Sequence, residues 1–192
     1  MTTTPQRRAA IADAAIATLA AEGMRGLTHR AVDRRAGLPE GSSSYYFRTR
    51  QALLEATVQR LSTLDDQMVA PMSAKPRVED LPDLLTGMIE FSVTTGRDWA
   101  IARYELSLEA TRRPELRAVL LAVGKRYRDL AVAMLTEAGA SDPERQGQDL
   151  VAYADGLIFD TVAGAGGREF DRAGVRKSVV ELLDQAIPGF RS

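Results

Sequence analysis

Two sets of residues in this 192-residue chain have the types and spacing to do chemistry. The first is a pair of carboxylates on otherwise apolar helical faces. Glu105 falls on a face with Ile101, Tyr104 and Leu108, and Asp155 on a face with Val151, Ile158 and Val162. A carboxylate on an apolar face needs a partner, which a ligand or a neighbouring arginine supplies equally well. Acid–base catalysis by the pair is the enzymatic alternative, but no nucleophile, metal cluster or phosphate loop accompanies it. The chain has no cysteine and one histidine, His29, so thiolate chemistry and His-rich metal sites are excluded. The glycine run at 164–167 follows no strand and is no nucleotide motif. No catalytic residue, metal or cofactor is expected.

The second set is the run Gly-Leu-Pro-Glu-Gly-Ser-Ser-Ser-Tyr-Tyr-Phe-Arg-Thr-Arg at 37–50. Gly, Pro and Ser are turn chemistry, but the flanking segments have helical periodicity. A short helix entering a DNA groove needs a narrow polar face. Ser42, Ser43 and Ser44 let the backbone approach and put hydroxyls within reach of bases or phosphates. Tyr45 and Tyr46 can set phenol groups against phosphates or thymine methyls, and Phe47 is the anchor to the core. Arg48, Thr49 and Arg50 open the next helix, where a helix N-terminus beside cations suits a phosphate. A plain linker is the competing reading of the serines, and a surface histidine that of His29.

These groups need helices to hold them. The spacing predicts a first helix from about Gln6 to Glu22, stopped by Gly23, a second capped by Thr28 and ending at Gly37, and a third over 40–47. Thr49 caps a longer helix carrying Leu53, Leu54, Val58 and Leu61 on one side. Pro71, Pro76 and Pro82 mark a break. Beyond it, helices are expected over 79–95, 98–112, from Pro114, from Pro143 to about 164, and at the C-terminal end. The fold class is all-α with about nine helices. The expected division is a three-helix, helix-turn-helix DNA-binding domain at 1–50 and a helical ligand-binding and dimerisation domain at 51–192.

Charge divides the same way. Residues 1–60 hold nine arginines against five acids, while the rest hold 16 basic and 21 acidic residues. A basic N-terminal third on an acidic body points to nucleic acid. Arg7 and Arg8 precede an alanine-rich run that superficially resembles a twin-arginine export signal, but Asp13 interrupts it and Ile11, Ala15 and Leu19 form a helical stripe. No apolar run reaches the roughly 18 residues of a membrane span. A cytoplasmic protein without a membrane partner is expected.

Residues 27–56, LTHRAVDRRAGLPEGSSSYYFRTRQALLEA, resemble the DNA-binding domain of the tetracycline-repressor (TetR) family of bacterial transcription regulators. The shared features are a Thr opening the second helix, Ala-Gly at the turn, an aromatic pair ending in Phe, and a cation before a Leu-rich helix. The resemblance implies a homodimer on a palindromic DNA operator, more often a repressor, controlled by a small-molecule effector. It implies that His29 and Arg30 approach bases or phosphates, that Glu40, Ser42 and Tyr45 face the groove, and that Thr28, Tyr46 and Arg50 contact the backbone. Three residues depart from the pattern. Ser43 and Ser44 stand where the family usually has an aliphatic residue and a Tyr, and Asp33 where a small residue packs. These departures keep a protein-binding adaptor without DNA binding as an alternative.

The C-terminal body is read from its faces. The helix over 143–164 is apolar nearly all round, with Ala152, Gly156 and Ala163 on one side and Asp160 beside them. With the Val175, Val179, Leu182, Leu183 and Ala186 stripe of the last helix, it forms an expected two-fold interface; a buried monomer core is the alternative. Met88, Phe91, Trp99, Tyr104, Glu105, Leu108, Tyr127, Tyr153, Asp155 and Phe159 are the candidate ligand residues, with ordinary core packing as the competing role of the aromatics.

Overall fold

The computed structural model describes residues 4–73 and 76–190, side chains of 71–73 excepted. Among them are nine α-helices, one 3-10 turn and no strand. In chain order the helices are α1 (Thr4–Gly26), α2 (His29–Arg35), α3 (Ser42–Tyr46), α4 (Arg50–Ser73), α5 (Leu81–Val93), α6 (Arg97–Ala110), α7 (Pro114–Glu137), α8 (Pro143–Val162) and α9 (Arg172–Ala186). The turn at Val78–Asp80 leads into α5. Helix starts follow the expected chemistry: Pro143 opens α8 behind Asp142, whose side chain accepts from the Arg145 N–H, as Pro at a first helical turn and Asp at its cap favour. The proline break lies later than expected, because α4 continues two residues past Pro71. A proline near a helix end forfeits only a single backbone hydrogen bond. Residues 74 and 75 of the expected break lie outside the described residues.

The chain forms two compact units. The first holds residues up to Asp66 together with Asp98–Arg117. Its core is Ile11, Ala15, Leu19, Leu27, Val32, Phe47 and Leu53, all nearly or fully buried, with α1 packed on α2 and α2 on α3. Gly23 interrupts α1 with a positive φ of 67°, a conformation that glycine adopts at little cost. There Glu105 of α6 accepts a hydrogen bond from the Met24 N–H at 3.4 Å. The buried Asp65 of α4 pairs with Arg103 of α6.

The second unit holds Gln67–Arg97 and residues from Ala118 onward. Here α5 packs on both α8 and α9. Leu81, Leu85 and Ile89 of α5 are buried, as are Val175, Val179 and Leu183 of α9. Two ion pairs rim this contact, Asp83–Arg176 at 2.8 Å and Glu90–Arg172. The Arg176 guanidinium holds the Asp83 carboxyl below the usual aspartate range, chiefly through its hydrogen bond. On α8, Gly147 is buried where an added Cβ would lie 2.9 Å from the Val132 backbone nitrogen of α7.

Candidate nucleic-acid interface and internal cavity

The helix-turn-helix is assembled from short-range caps and one longer clamp. Thr28 adopts an extended backbone and accepts from the Ala31 N–H at 3.2 Å, opening α2. After α2 the chain reverses through Gly37, whose φ is 63°, and the Leu38 N–H closes the turn on the Asp33 carbonyl at 2.9 Å. The first N–H groups of any helix lack intrahelical partners, and Gly41, which precedes α3, has no side chain to cap them. Asp33 of α2 does so instead. Its carboxylate, 2% exposed, accepts from the Gly41 N–H at 2.8 Å and the Ser43 N–H at 2.7 Å.

Ser43 completes the clamp. It is fully buried, and its hydroxyl donates to the His29 carbonyl at 3.1 Å. The reading of Ser43 as a DNA contact is therefore corrected: it lies on the inner face of α3, one turn before the anchor Phe47. Two of the three departures from the family pattern, Asp33 and Ser43, meet each other. Asp33 pairs with backbone N–H groups, not with an arginine.

The outer face is built from the neighbours. Tyr45 is 80% exposed and stands edge-on to Tyr46, ring centroids 5.2 Å apart. The half-buried Ser42 and Ser44 donate their hydroxyl protons back to the Pro39 and Gly41 carbonyls at 2.6 and 2.8 Å, which leaves oxygen lone pairs to accept from base amino groups. Arg30 and Glu40, both exposed, lie 3.8 Å apart across α2 and the turn. Arg48 and Thr49 are exposed, and Thr49 accepts from the Ala52 N–H at 3.0 Å to cap α4.

Two expected DNA contacts have structural bonds. The Arg50 guanidinium donates to the Leu27 carbonyl at 3.2 Å and to the Met24 carbonyl. His29 Nε2 is bonded to the Phe47 carbonyl, so that nitrogen carries the proton. Arg8, not among the expected contacts, sits 4.3 Å over the Phe47 ring and donates to the Tyr46 carbonyl at 2.9 Å. In the sequence it stands out only within the arginine excess and the Arg7-Arg8 pair.

In the second unit a small, partly open cavity has a volume of about 40 Å³. It is lined from α4 by Val69, from α5 by Leu85 and Met88, from α7 by Tyr127, Leu130, Ala131 and Met134, and from α8 by Leu150, Val151 and Ala154. Only Met88 and Tyr127 of the ten candidate ligand residues line it. Phe91 and Tyr153 are half-buried elsewhere on α5 and α8, while Asp155 and Phe159 are exposed on α8. Trp99, Tyr104, Glu105 and Leu108 belong to the other unit, where Leu108 is 62% exposed. The alternative left open for Glu105 falls to an internal partner, the Met24 N–H.

The expected self-association face also divides. Val175, Val179, Leu183 and Ala186 are buried within the protomer, where α9 meets α5, so that stripe cannot also face a second copy. Leu182 is half-buried. Ala152, Gly156 and Ala163 are exposed, and an added Cβ at Gly156 would meet nothing within 4 Å. The Asp160 carboxylate lies against Gly164.

Comparison with known proteins agrees with this architecture. Residues 11–57 match the family described as bacterial regulatory proteins, tetR family, and residues 76–186 match the tetracyclin repressor-like C-terminal domain. The HTH-type transcriptional regulator BetI of Rhizobium meliloti (strain 1021) is 32% identical over 81% of this chain and 77% of its own length. A TetR-family structure from Streptomyces coelicolor A3 is 29% identical, covers 93% of this chain and 98% of its own, and has a TM-score of 0.74. The multidrug binding protein EbrR, solved in complex with ethidium, is 30% identical over 94% of this chain and 99% of its own, with a TM-score of 0.66. No described helix is long and apolar enough to cross a membrane. The chain belongs to the TetR family of ligand-responsive, DNA-binding transcription regulators.

Proposed function

We propose that this regulator is a cytoplasmic homodimeric repressor that binds a palindromic operator and is released from it by a small molecule. The carrying observation is the outer face of α3. Tyr45 stands 80% exposed between the half-buried hydroxyls of Ser42 and Ser44, on a helix whose inner side is clamped by Asp33. Tyr45 reads bases through its ring and hydroxyl, the serines accept from base amino groups, and Thr28, Arg30 and Arg48 meet the flanking phosphates. The arrangement is rigid on one side and polar on the other, as base reading requires.

Release has a physical route. Helix α4 begins at Arg50, beside the DNA-facing elements, and Val69 near its other end lines the cavity. A ligand that prefers one arrangement of the cavity wall shifts α4, and with it the spacing of two recognition helices. The paired-carboxylate enzyme reading gains no support: Glu105 accepts from the Met24 N–H and Asp155 is exposed on α8.

The test is a gel shift with duplex DNA flanking the protein's own gene, competed with random duplex. Wild-type protein retards the flanking DNA selectively. Tyr45→Ala is expected to lose about 1–3 kcal/mol of selective binding while retaining non-specific binding. Equal retention of both duplexes by the wild type would remove the reading.

A further inference from the structure

We propose that the effector of this regulator is a neutral, predominantly apolar molecule, and not a lipophilic cation. The inference rests on the reading of the cavity as the effector site and deepens it. Among the described residues, every side chain lining the cavity is aliphatic or a thioether, except the ring of Tyr127. The carboxylates that would receive a cation are elsewhere. Asp155 is exposed on α8, and Glu105 lies in the other unit, accepting from the Met24 N–H.

A cation entering this space loses its hydration shell and meets no opposite charge. Buried charges need pairing or hydrogen bonds to offset that loss. One aromatic face gives part of the compensation; cage-like recognition of quaternary ammonium groups uses several. A neutral apolar ligand loses little on entry and gains contact along the whole wall. Met88 and Met134 adapt their shape to different occupants, and Ala131 and Ala154 are the small residues that leave the space open. The lining therefore selects for charge state and hydrophobicity more than for a particular outline.

Three fluorescent probes of related size separate the outcomes: neutral N-phenylnaphthylamine, anionic anilinonaphthalene sulfonate, and cationic ethidium. Titrated into the full-length protein, the neutral probe is expected to bind saturably and at least about tenfold more tightly than either ion. Ala131→Leu and, independently, Ala154→Leu fill the space and are each expected to weaken the neutral probe about tenfold. Met88→Glu places a carboxylate in the wall and is expected to raise ethidium affinity over the neutral probe. Two variants fill the same space, so a folding failure of one leaves the other decisive. Ethidium or the sulfonate binding as well as the neutral probe overturns the proposal. So does absence of saturable neutral binding, or neutral binding untouched in a folded filling variant. The gel shift is scored separately. A protein that takes the neutral probe but retards no DNA loses the regulator reading alone, and one that retards DNA but prefers ethidium loses only this inference.

Discussion

Asp33 and Ser43 show how two buried polar residues are held without leaving a polar group unsatisfied. The carboxylate takes two backbone N–H groups at the start of α3, and the serine hydroxyl takes the His29 carbonyl. Removing the carboxylate leaves two donors without it, the Ser43 N–H on a fully buried residue, a loss of about 1–3 kcal/mol. Asp33→Ala is expected to destabilise the protein by that amount in urea unfolding. Asp33→Ala with Ser43→Leu, which substitutes a small residue and an aliphatic one, is expected to be less destabilised than the two single changes predict together. Strict additivity in the double-mutant cycle would sink the coupling. Part of this was legible beforehand. Thr28 and Thr49 were identified as caps because capping is local. Phe47 is the anchor, and Ser43, four residues before it, shares its inward helical face. The clamp itself was not legible, because Asp33 reaches α3 across a turn.

The same scale separates two arginines. Arg48 is exposed, while Arg50 holds the Leu27 and Met24 carbonyls. Arg48→Ala is expected to reduce the slope of log affinity against log salt by about one. Arg50→Ala is expected to lower the thermal midpoint and leave that slope unchanged. A slope that falls with Arg50 instead would return it to the phosphate.

At the scale of elements, helix starts are encoded locally in the sequence and helix neighbours are not. Prolines and caps act within a few residues, so α7 opens at Pro114 and α8 at Pro143 as expected. A 3.6-residue period reveals an apolar stripe but not what covers it. The α9 stripe, expected at a two-fold interface or in a buried core, is covered by α5. Trp99 and Tyr104 of α6, candidates for a ligand site or for ordinary core, do not line the cavity. Close helix approach has its own signature in Gly147, whose missing Cβ admits the α7 backbone. Gly147→Ala would normally favour a helix. Here it forces α7 and α8 apart and is expected to lower stability by about 1–3 kcal/mol, measured by urea unfolding. A stabilised Gly147→Ala protein would show that α8 yields at no cost.

For the whole molecule, the question is how one short recognition helix obtains specificity. A single helix-turn-helix reads one half-site, and two copies must meet successive major grooves about 34–36 Å apart. On the proposed two-fold reading self-association belongs to function, and with the α9 stripe buried we propose the exposed face of α8 as its surface. Ala152, Gly156, Phe159 and Ala163 recur there at spacings of four, three and four, with small residues around a Phe that is 46% exposed. Small residues let two helices approach closely, and a half-exposed aromatic gains most from being covered. Phe159→Arg places like charges across a two-fold axis, where each copy meets its own substitution. It is expected to yield a folded monomer by light scattering. Loss of the second half-site should weaken operator binding by a factor on the order of a hundred, while non-specific binding through the arginine-rich N-terminal third persists. A Phe159→Arg protein that remains dimeric would move the interface off this face of α8. A monomer with full operator affinity would mean that one recognition helix suffices, and the two-fold reading of the operator would go with it.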